Sequence, residues 1–250
     1  VILVGAGPGR ADLVTVRGRE WIEKADVIFY DRLLDAAMLR WAKGSCRKVF
    51  VGKERGRHAV EQDKVIRSMI EEATVGRCVV RLKGGDPLIF GRGGEEALAL
   101  AEAGVPFEIV PGVTAALGVA AYAGVPLTHR GISSSVLLLT GQGASGLPHE
   151  PTIAVYMPAE NLAGVVAGII ESGRAGRTPA LAVQWGTWEK QRSVLSTLKG
   201  IADAVRESGL GSPMLLIVGE VARFHEQLDW YEGKPHPGRV PSLLRTAEAR

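Results

Sequence analysis

Cys78-Val79-Val80-Arg81-Leu82 runs into Lys83-Gly84-Gly85-Asp86-Pro87-Leu88-Ile89-Phe90-Gly91-Arg92-Gly93-Gly94-Glu95-Glu96, and a helical pattern follows as far as Ala103. The opening run is short and β-branched, as a buried strand is. The loop after it carries five glycines between positions 84 and 94. Glycine at that density costs backbone entropy, so it implies positive φ angles or something packed directly against the main chain. Pro87, Ile89 and Phe90 in its middle favour a fixed conformation over a floppy one.

The same strand, loop and helix recur on both sides of this segment. Strands are predicted at Val1–Val4, Asp26–Tyr30, Lys48–Val51, Cys78–Leu82 and Phe107–Val110, with helices at Thr15–Ala25, Leu34–Ala42, Glu61–Ala73, Gly94–Ala103 and Thr114–Ala123. Val65, Ile66, Met69, Ile70 and Ala73 keep one helical face apolar while Asp63, Lys64, Arg67, Glu71 and Glu72 occupy the other. Alternation of this kind is the signature of a parallel α/β sheet. Glycine, proline and serine from Gly124 to Ser135 then read as a linker. A second set follows, with strands at Val136–Thr140, Ile153–Tyr156, Ala180–Gln184, Ser193–Ser196 and Met214–Val218 and helices at Leu162–Glu171 and Lys199–Glu207. The expectation is two α/β domains, residues 1–125 and 126–240, with a tail at 241–250.

Composition narrows the class. The 250 residues are 46% apolar and 23% charged, which excludes disorder and coiled coil, and the 32 glycines follow no collagen period. A net charge of +3 is too small for a nucleic-acid coat. It is unevenly spread: from 40 to 58, seven cations oppose Glu54 alone, a balance of +6 that leaves −3 for the rest. That segment reads as a solvated face or as a positive rim for a polyanionic substrate. Cys46 and Cys78 form no C-x-x-C, and the five histidines show no metal-ligand spacing, so a reducing cytoplasm and no metal are expected. The longest low-charge run, Val113–Leu127, is too short to span a membrane, and no basic-then-apolar leader precedes Val1–Val4.

The unusual residues all fall just beyond the carboxyl ends of the first five strands: Gly5–Gly9, Asp31-Arg32, Gly52-Lys53, Gly84–Pro87 and Pro111–Ala115. In open parallel sheets the ligand lies at that edge. A dinucleotide reading of the first loop is disfavoured, because Gly5, Gly7 and Gly9 are followed by Arg10, which breaks G-x-G-x-x-G, and Pro8 removes a donor.

Taken together, Val4–Gly9, Tyr30–Leu33, Val51–Lys53, Gly84–Glu96, Val110–Ala116, Pro126–Arg130, Ser212-Pro213 and Val218–Val221 closely resemble the uroporphyrinogen-III C-methyltransferases of the tetrapyrrole (precorrin) methylase family, in the right order from residue 1 to about 233. The resemblance implies two α/β domains with the cofactor cleft between them. It implies S-adenosylmethionine as methyl donor, S-adenosylhomocysteine as product, and methylation of an acidic tetrapyrrole, uroporphyrinogen III, at two pyrrole carbons to give precorrin-2 for sirohaem and cobalamin. It marks Asp31 as proton acceptor and Lys53 as proton donor. Pro8, Gly84, Gly85, Asp86, Ile89, Thr114, Ala115, Met157 and Gly186 are implied as cofactor contacts. Arg32, His129 and Arg130 are expected to receive substrate carboxylates. A homodimer without nucleic-acid or membrane partners is implied too. Arg10-Ala11 and Gly131 depart from the family pattern at the pocket border, which keeps methylation of a later precorrin open as an alternative.

Overall fold

The structure, a computed structural model, describes residues 1–52, 62–141 and 151–231. The first sheet holds β1 (Ile2–Gly5), β2 (Val27–Tyr30), β3 (Arg47–Phe50), β4 (Val79–Lys83) and β5 (Glu108–Val110) in the order β3-β2-β4-β1-β5, all parallel. β1 and β4 are buried along their whole length, as parallel strands covered on both faces must be. α1 (Val16–Lys24), α2 (Ala36–Leu39), α3 (Gln62–Thr74) and α4 (Gly93–Glu102) connect them. α1 begins where the Thr15 hydroxyl accepts the Gly18 N–H at 3.0 Å. α3 sets Val65 and Met69 against Val27, Phe29 and Val79. The helix expected at Leu34–Ala42 is a single turn, because Asp35 caps it, accepting the Ala37 N–H at 2.8 Å, and so starts it late.

The second sheet contains β6 (Val136–Thr140), β7 (Thr152–Tyr156), β8 (Pro179–Gln184), β9 (Arg192–Thr197) and β10 (Met214–Val218) in the order β6-β7-β10-β8-β9. Only β6 and β7 run parallel; the other pairs are antiparallel. α6 (Leu162–Glu171) and α7 (Ile201–Glu207) bury one face. The opposite face is covered by α5 (Ala115–Tyr122), whose Ala116, Val119 and Ala120 pack on Ala154, Leu181, Val183, Leu215 and Ile217. Ala116, Gly118, Val119 and Ala120 are buried while Leu117 stays 59% exposed, so this apolar helix is covered along one face. The expected linker is packed too: Val125 and Leu127 are buried, and Ser133 Oγ lies 2.7 Å from Thr152 Oγ1.

Candidate active site

At the carboxyl edge of the first sheet, β1 and β4 extend their contact into the loops: Gly85 N–H donates to Gly7 O at 2.7 Å, and Gly7 N–H to Gly85 O at 3.2 Å. A Cβ at Gly5 would stand 2.5 Å from Gly112 N, and one at Gly112 would stand 2.3 Å from Gly85 O. Three loops therefore meet backbone to backbone, which only glycine permits. The same holds where the two halves of the chain touch, since a Cβ at Gly9 would reach Trp188 Nε1 at 2.3 Å and one at Gly186 would reach Val119 Cγ2 at 2.5 Å. Gly84 and Gly85 differ: the nearest heavy atoms to an added Cβ are Leu33 Cβ at 3.5 Å and Ala115 N at 3.7 Å. Most of the glycine excess at this edge thus makes room for other stretches of chain, whereas a Cβ at Gly84 or Gly85 would make only ordinary contacts.

Ile89, Phe90 and, from the second half, Met157 are apolar side chains left exposed by 37%, 43% and 62%. Exposed apolar side chains together with glycine-lined main chain suit a small ligand with a flat apolar part and a few polar groups. The walls are rigid. Asp86 Oδ1 accepts the Leu88 N–H at 2.8 Å and Oδ2 accepts the Gly112 N–H at 3.0 Å, so its carboxylate ties two loops together. Tyr156, buried at the end of β7, places its hydroxyl 2.7 Å from Thr114 Oγ1, accepts the Ala116 N–H at 3.1 Å, and meets the Phe90 ring at 4.9 Å. Pro8 packs on Gly118 of α5. Of the residues expected to contact a cofactor, Asp86, Thr114 and Ala115 lie in loops joined by the Asp86, Tyr156 and glycine contacts, and Pro8 and Gly186 both pack on α5.

Backbone strain marks the same place. Phe90, Arg92, Met157, Trp185 and Thr187 have φ of 53°, 57°, 53°, 50° and 71°. Such conformations cost on the order of 1–3 kcal/mol each and collect at functional sites. All five lie in the loops after β4, β7 and β8. Arg92 and Glu95 pair at 2.6 Å at the start of α4. Trp185, Thr187 and Tyr156 were not among the residues singled out from sequence, since neither left-handed backbone nor a hydrogen bond across 42 residues leaves a local signal.

Asp31 follows β2, half-buried, with Oδ1 accepting the Leu33 N–H at 3.1 Å, while Leu33 abuts Gly84. Arg32 is exposed beside it. Lys53 lies outside the described residues. His129 stacks on Phe224 at 4.7 Å, its Nδ1 lies 2.9 Å from Arg130 O, and Gly131 and Ile132 line a cavity of about 400 Å³ with Arg223 and Gln227. These contacts do not tie the His129-Arg130 loop to the glycine loops. The basic-rim reading needs correction for two of its members: Lys43 pairs with Asp26 and Arg47 with Glu72, both at the amino ends of strands and away from the site. Burial pushes the Cys46 and Cys78 thiols up, so neither is an activated nucleophile.

Beneath the loop, Glu96 is fully buried and accepts from Arg81 Nε at 3.1 Å, Lys83 Nζ at 2.9 Å and Gln62 Nε2 at 2.8 Å. Burial holds the Lys83 ammonium below the usual lysine range, and the neighbouring Arg81 charge adds to this against the opposing pull of Glu96. The first loop forms no phosphate cradle, because a 3₁₀ turn at Ala11–Leu13 separates it from α1.

Comparison with known proteins identifies the family. The family model for tetrapyrrole (corrin/porphyrin) methylases matches residues 1–202. The chain is 41% identical over 244 residues to uroporphyrinogen-III C-methyltransferase of Bacillus subtilis, covering 94% of this chain and 95% of that protein. It is 44% identical over 240 residues to siroheme synthase of Chromobacterium violaceum, covering 92% of this chain but only 51% of that longer protein. The crystal structure of uroporphyrin-III C-methyltransferase from Thermus thermophilus in complex with S-adenosylhomocysteine superposes with a TM-score of 0.76 at 38% identity, covering 89% of this chain and 98% of that one. The chain belongs to the tetrapyrrole methylase family.

Proposed function

We propose that this protein transfers methyl groups from S-adenosylmethionine to two pyrrole carbons of uroporphyrinogen III, giving precorrin-2 for sirohaem and cobalamin formation. The observation that carries this reading is the near full-length 41% identity to the Bacillus subtilis enzyme of that activity. The glycine-lined main chain at Gly84-Gly85 and the exposed apolar side chains of Ile89 and Phe90 in the same loop suit the donor. When bound, S-adenosylmethionine supplies an electrophilic methyl group on a sulfonium.

The residues of this chain then align and shield the reaction. Pro8, Gly84, Gly85, Asp86, Ile89, Thr114, Ala115, Met157 and Gly186 hold the donor, and the exclusion of water by Phe90 and Met157 protects a transfer that needs alignment and no covalent intermediate. Asp31 accepts the proton that the methylated ring loses, Lys53 donates one, and Arg32, His129 and Arg130 receive carboxylates. The protein acts as a cytoplasmic homodimer; among the described residues no helix is long and apolar enough to cross a membrane.

A second reading, methylation of a later precorrin, draws on the cobalt precorrin-4 methyltransferase fold, which matches with a TM-score of 0.77 at 28% identity. Incubation with S-adenosylmethionine and uroporphyrinogen III, followed by mass spectrometry, decides. A dimethylated product is expected. Binding of S-adenosylhomocysteine without turnover moves the substrate to another precorrin. Light scattering reads the dimer directly, and a monomer at assay concentration refutes it.

A further inference from the structure

The connection between β8 and β9 is longer and more strained than a hairpin needs. Gln184 pairs with Arg192, so residues 185–191 close the turn, where about two to five residues suffice. Within it Trp185 and Thr187 hold φ of 50° and 71°. Left-handed backbone is an outlier for a β-branched residue and persists only where surrounding contacts over-determine it. Thr187, fully buried, has such a contact on each of its polar groups. Its N–H donates to Gln191 Oε1 at 2.7 Å, its carbonyl accepts the Tyr231 hydroxyl at 3.1 Å, and its Oγ1 accepts the main-chain N–H of Arg10 at 3.3 Å. The two clamping side chains are themselves tied together: Gln191 Nε2 donates to Tyr122 O at 3.1 Å, and the Tyr122 and Tyr231 rings meet at 4.8 Å.

The strained turn is seated on the first half of the chain. A Cβ at Gly9 would come to 2.7 Å from Thr187 Oγ1, and one at Gly186 to 2.5 Å from Val119 of α5, the helix whose Gly118 receives Pro8. Closing β8 onto β9 requires none of this, whereas fixing the main chain of Gly186 against the glycine loop and α5 requires all of it. We propose that Tyr231 and Gln191 are positioning residues that hold the Trp185–Thr187 turn in its left-handed conformation and so present the main chain of Gly186 to the S-adenosylmethionine donor. This rests on the reading of Gly186 as a cofactor contact. The ordering of the turn is then met on folding and not on binding, which is how preorganisation raises affinity.

The test compares Tyr231→Phe, Gln191→Met, Thr187→Gly and Thr187→Ser with wild type. Melting temperature, S-adenosylhomocysteine Kd by calorimetry and KM for uroporphyrinogen III at saturating donor are measured, together with hydrogen exchange of the Trp185–Thr187 amides with and without S-adenosylhomocysteine. Tyr231→Phe keeps its ring on Tyr122 and loses one hydrogen bond, so Kd is expected to weaken about tenfold while KM stays within about twofold. Gln191→Met does the same, and if it fails to fold, Tyr231→Phe carries the comparison. Thr187→Gly separates positioning from stability. Glycine adopts the left-handed φ without strain, so the melting temperature holds within about 3 °C even though the freed turn binds S-adenosylhomocysteine about tenfold more weakly. Thr187→Ser, which keeps the oxygen facing Arg10, binds within about twofold of wild type. A Thr187→Gly or Tyr231→Phe protein with Kd within twofold of wild type overturns the proposal, as does a KM for uroporphyrinogen III that rises as much as Kd. Exchange at the turn tells the two levels apart. Protection on binding, with unchanged Kd in the variants, leaves Gly186 as a contact and removes the clamp; no protection in wild type means that the reading of Gly186 fails and the proposal with it.

Discussion

Replacing Tyr156 with Phe removes one oxygen and tests how the two halves of the molecule are joined beside the proposed cofactor loops. Thr114, at the N-cap of α5, makes no side-chain cap bond of its own. The Tyr156 hydroxyl supplies the missing partner from the other sheet, accepting the Ala116 N–H at 3.1 Å and lying 2.7 Å from Thr114 Oγ1. Phe keeps the ring and its contact with Phe90, so packing is preserved. Thr114 can rotate its hydroxyl, but the Ala116 N–H, fully buried, has nowhere to turn. A buried group left unpaired costs about 1–3 kcal/mol, so a stability loss of about 2 kcal/mol is expected. Part of the same disorder reaches Thr114 and Ala115, and S-adenosylhomocysteine binding should weaken about tenfold, equivalent to ~1.4 kcal/mol. Urea unfolding should show a lower midpoint at unchanged slope, and calorimetry the weaker Kd. Thr114→Val, which spares the Ala116 bond, takes the smaller share. A Tyr156→Phe protein that unfolds and binds like wild type refutes the capping argument.

Further outcomes follow from single positions. Gly112→Ala drives a Cβ to 2.3 Å from Gly85 O and should cost about 3 kcal/mol or more in a denaturation experiment. Gly94→Ala, in α4 with nothing within 4 Å of the new methyl, should instead stabilise by about 0.5–1 kcal/mol. Asp31→Asn should abolish turnover while leaving S-adenosylhomocysteine binding intact by calorimetry. Arg77 and Arg47 hold the Glu72 carboxyl below the usual range. Its contribution is therefore present above the unfolded-state value near pH ~4.3 and lost as pH falls through the native one. Melting temperatures of wild type and Glu72→Gln should differ at neutral pH and converge in acid; a gap that widens in acid contradicts that sign.

The first sheet and the loops at its carboxyl edge were legible in the chain itself. Parallel strands buried on both faces read as apolar runs, and the amphipathic periodicity of α3 and the turn chemistry of Gly84–Pro87 are local properties. The strand pattern also put Asp31, Gly84 and Thr114 beyond the carboxyl ends of parallel strands, which in such sheets face one edge. Strand direction in the second sheet was not legible, since alternation looks the same in either sense, and β7, β8 and β10 pair antiparallel. Nor was the packing of α5 against that sheet, because an Ala-Val-Gly helix carries no polar face to say which neighbour it prefers.

Tertiary structure alone decided what the glycines are for. Gly5, Gly9, Gly112 and Gly186 admit other chain segments, whereas a Cβ at Gly84 or Gly85 would meet only ordinary contacts, a distinction that depends on which segment comes close. It likewise decided which charges are buried: Lys43 and Arg47 pair with Asp26 and Glu72 near the surface, whereas Lys83, unremarkable in sequence, becomes a buried cation held by Glu96. Sequence specifies which groups exist and their local conformation, but Coulombic and steric partners are set by register and packing between residues far apart in the chain.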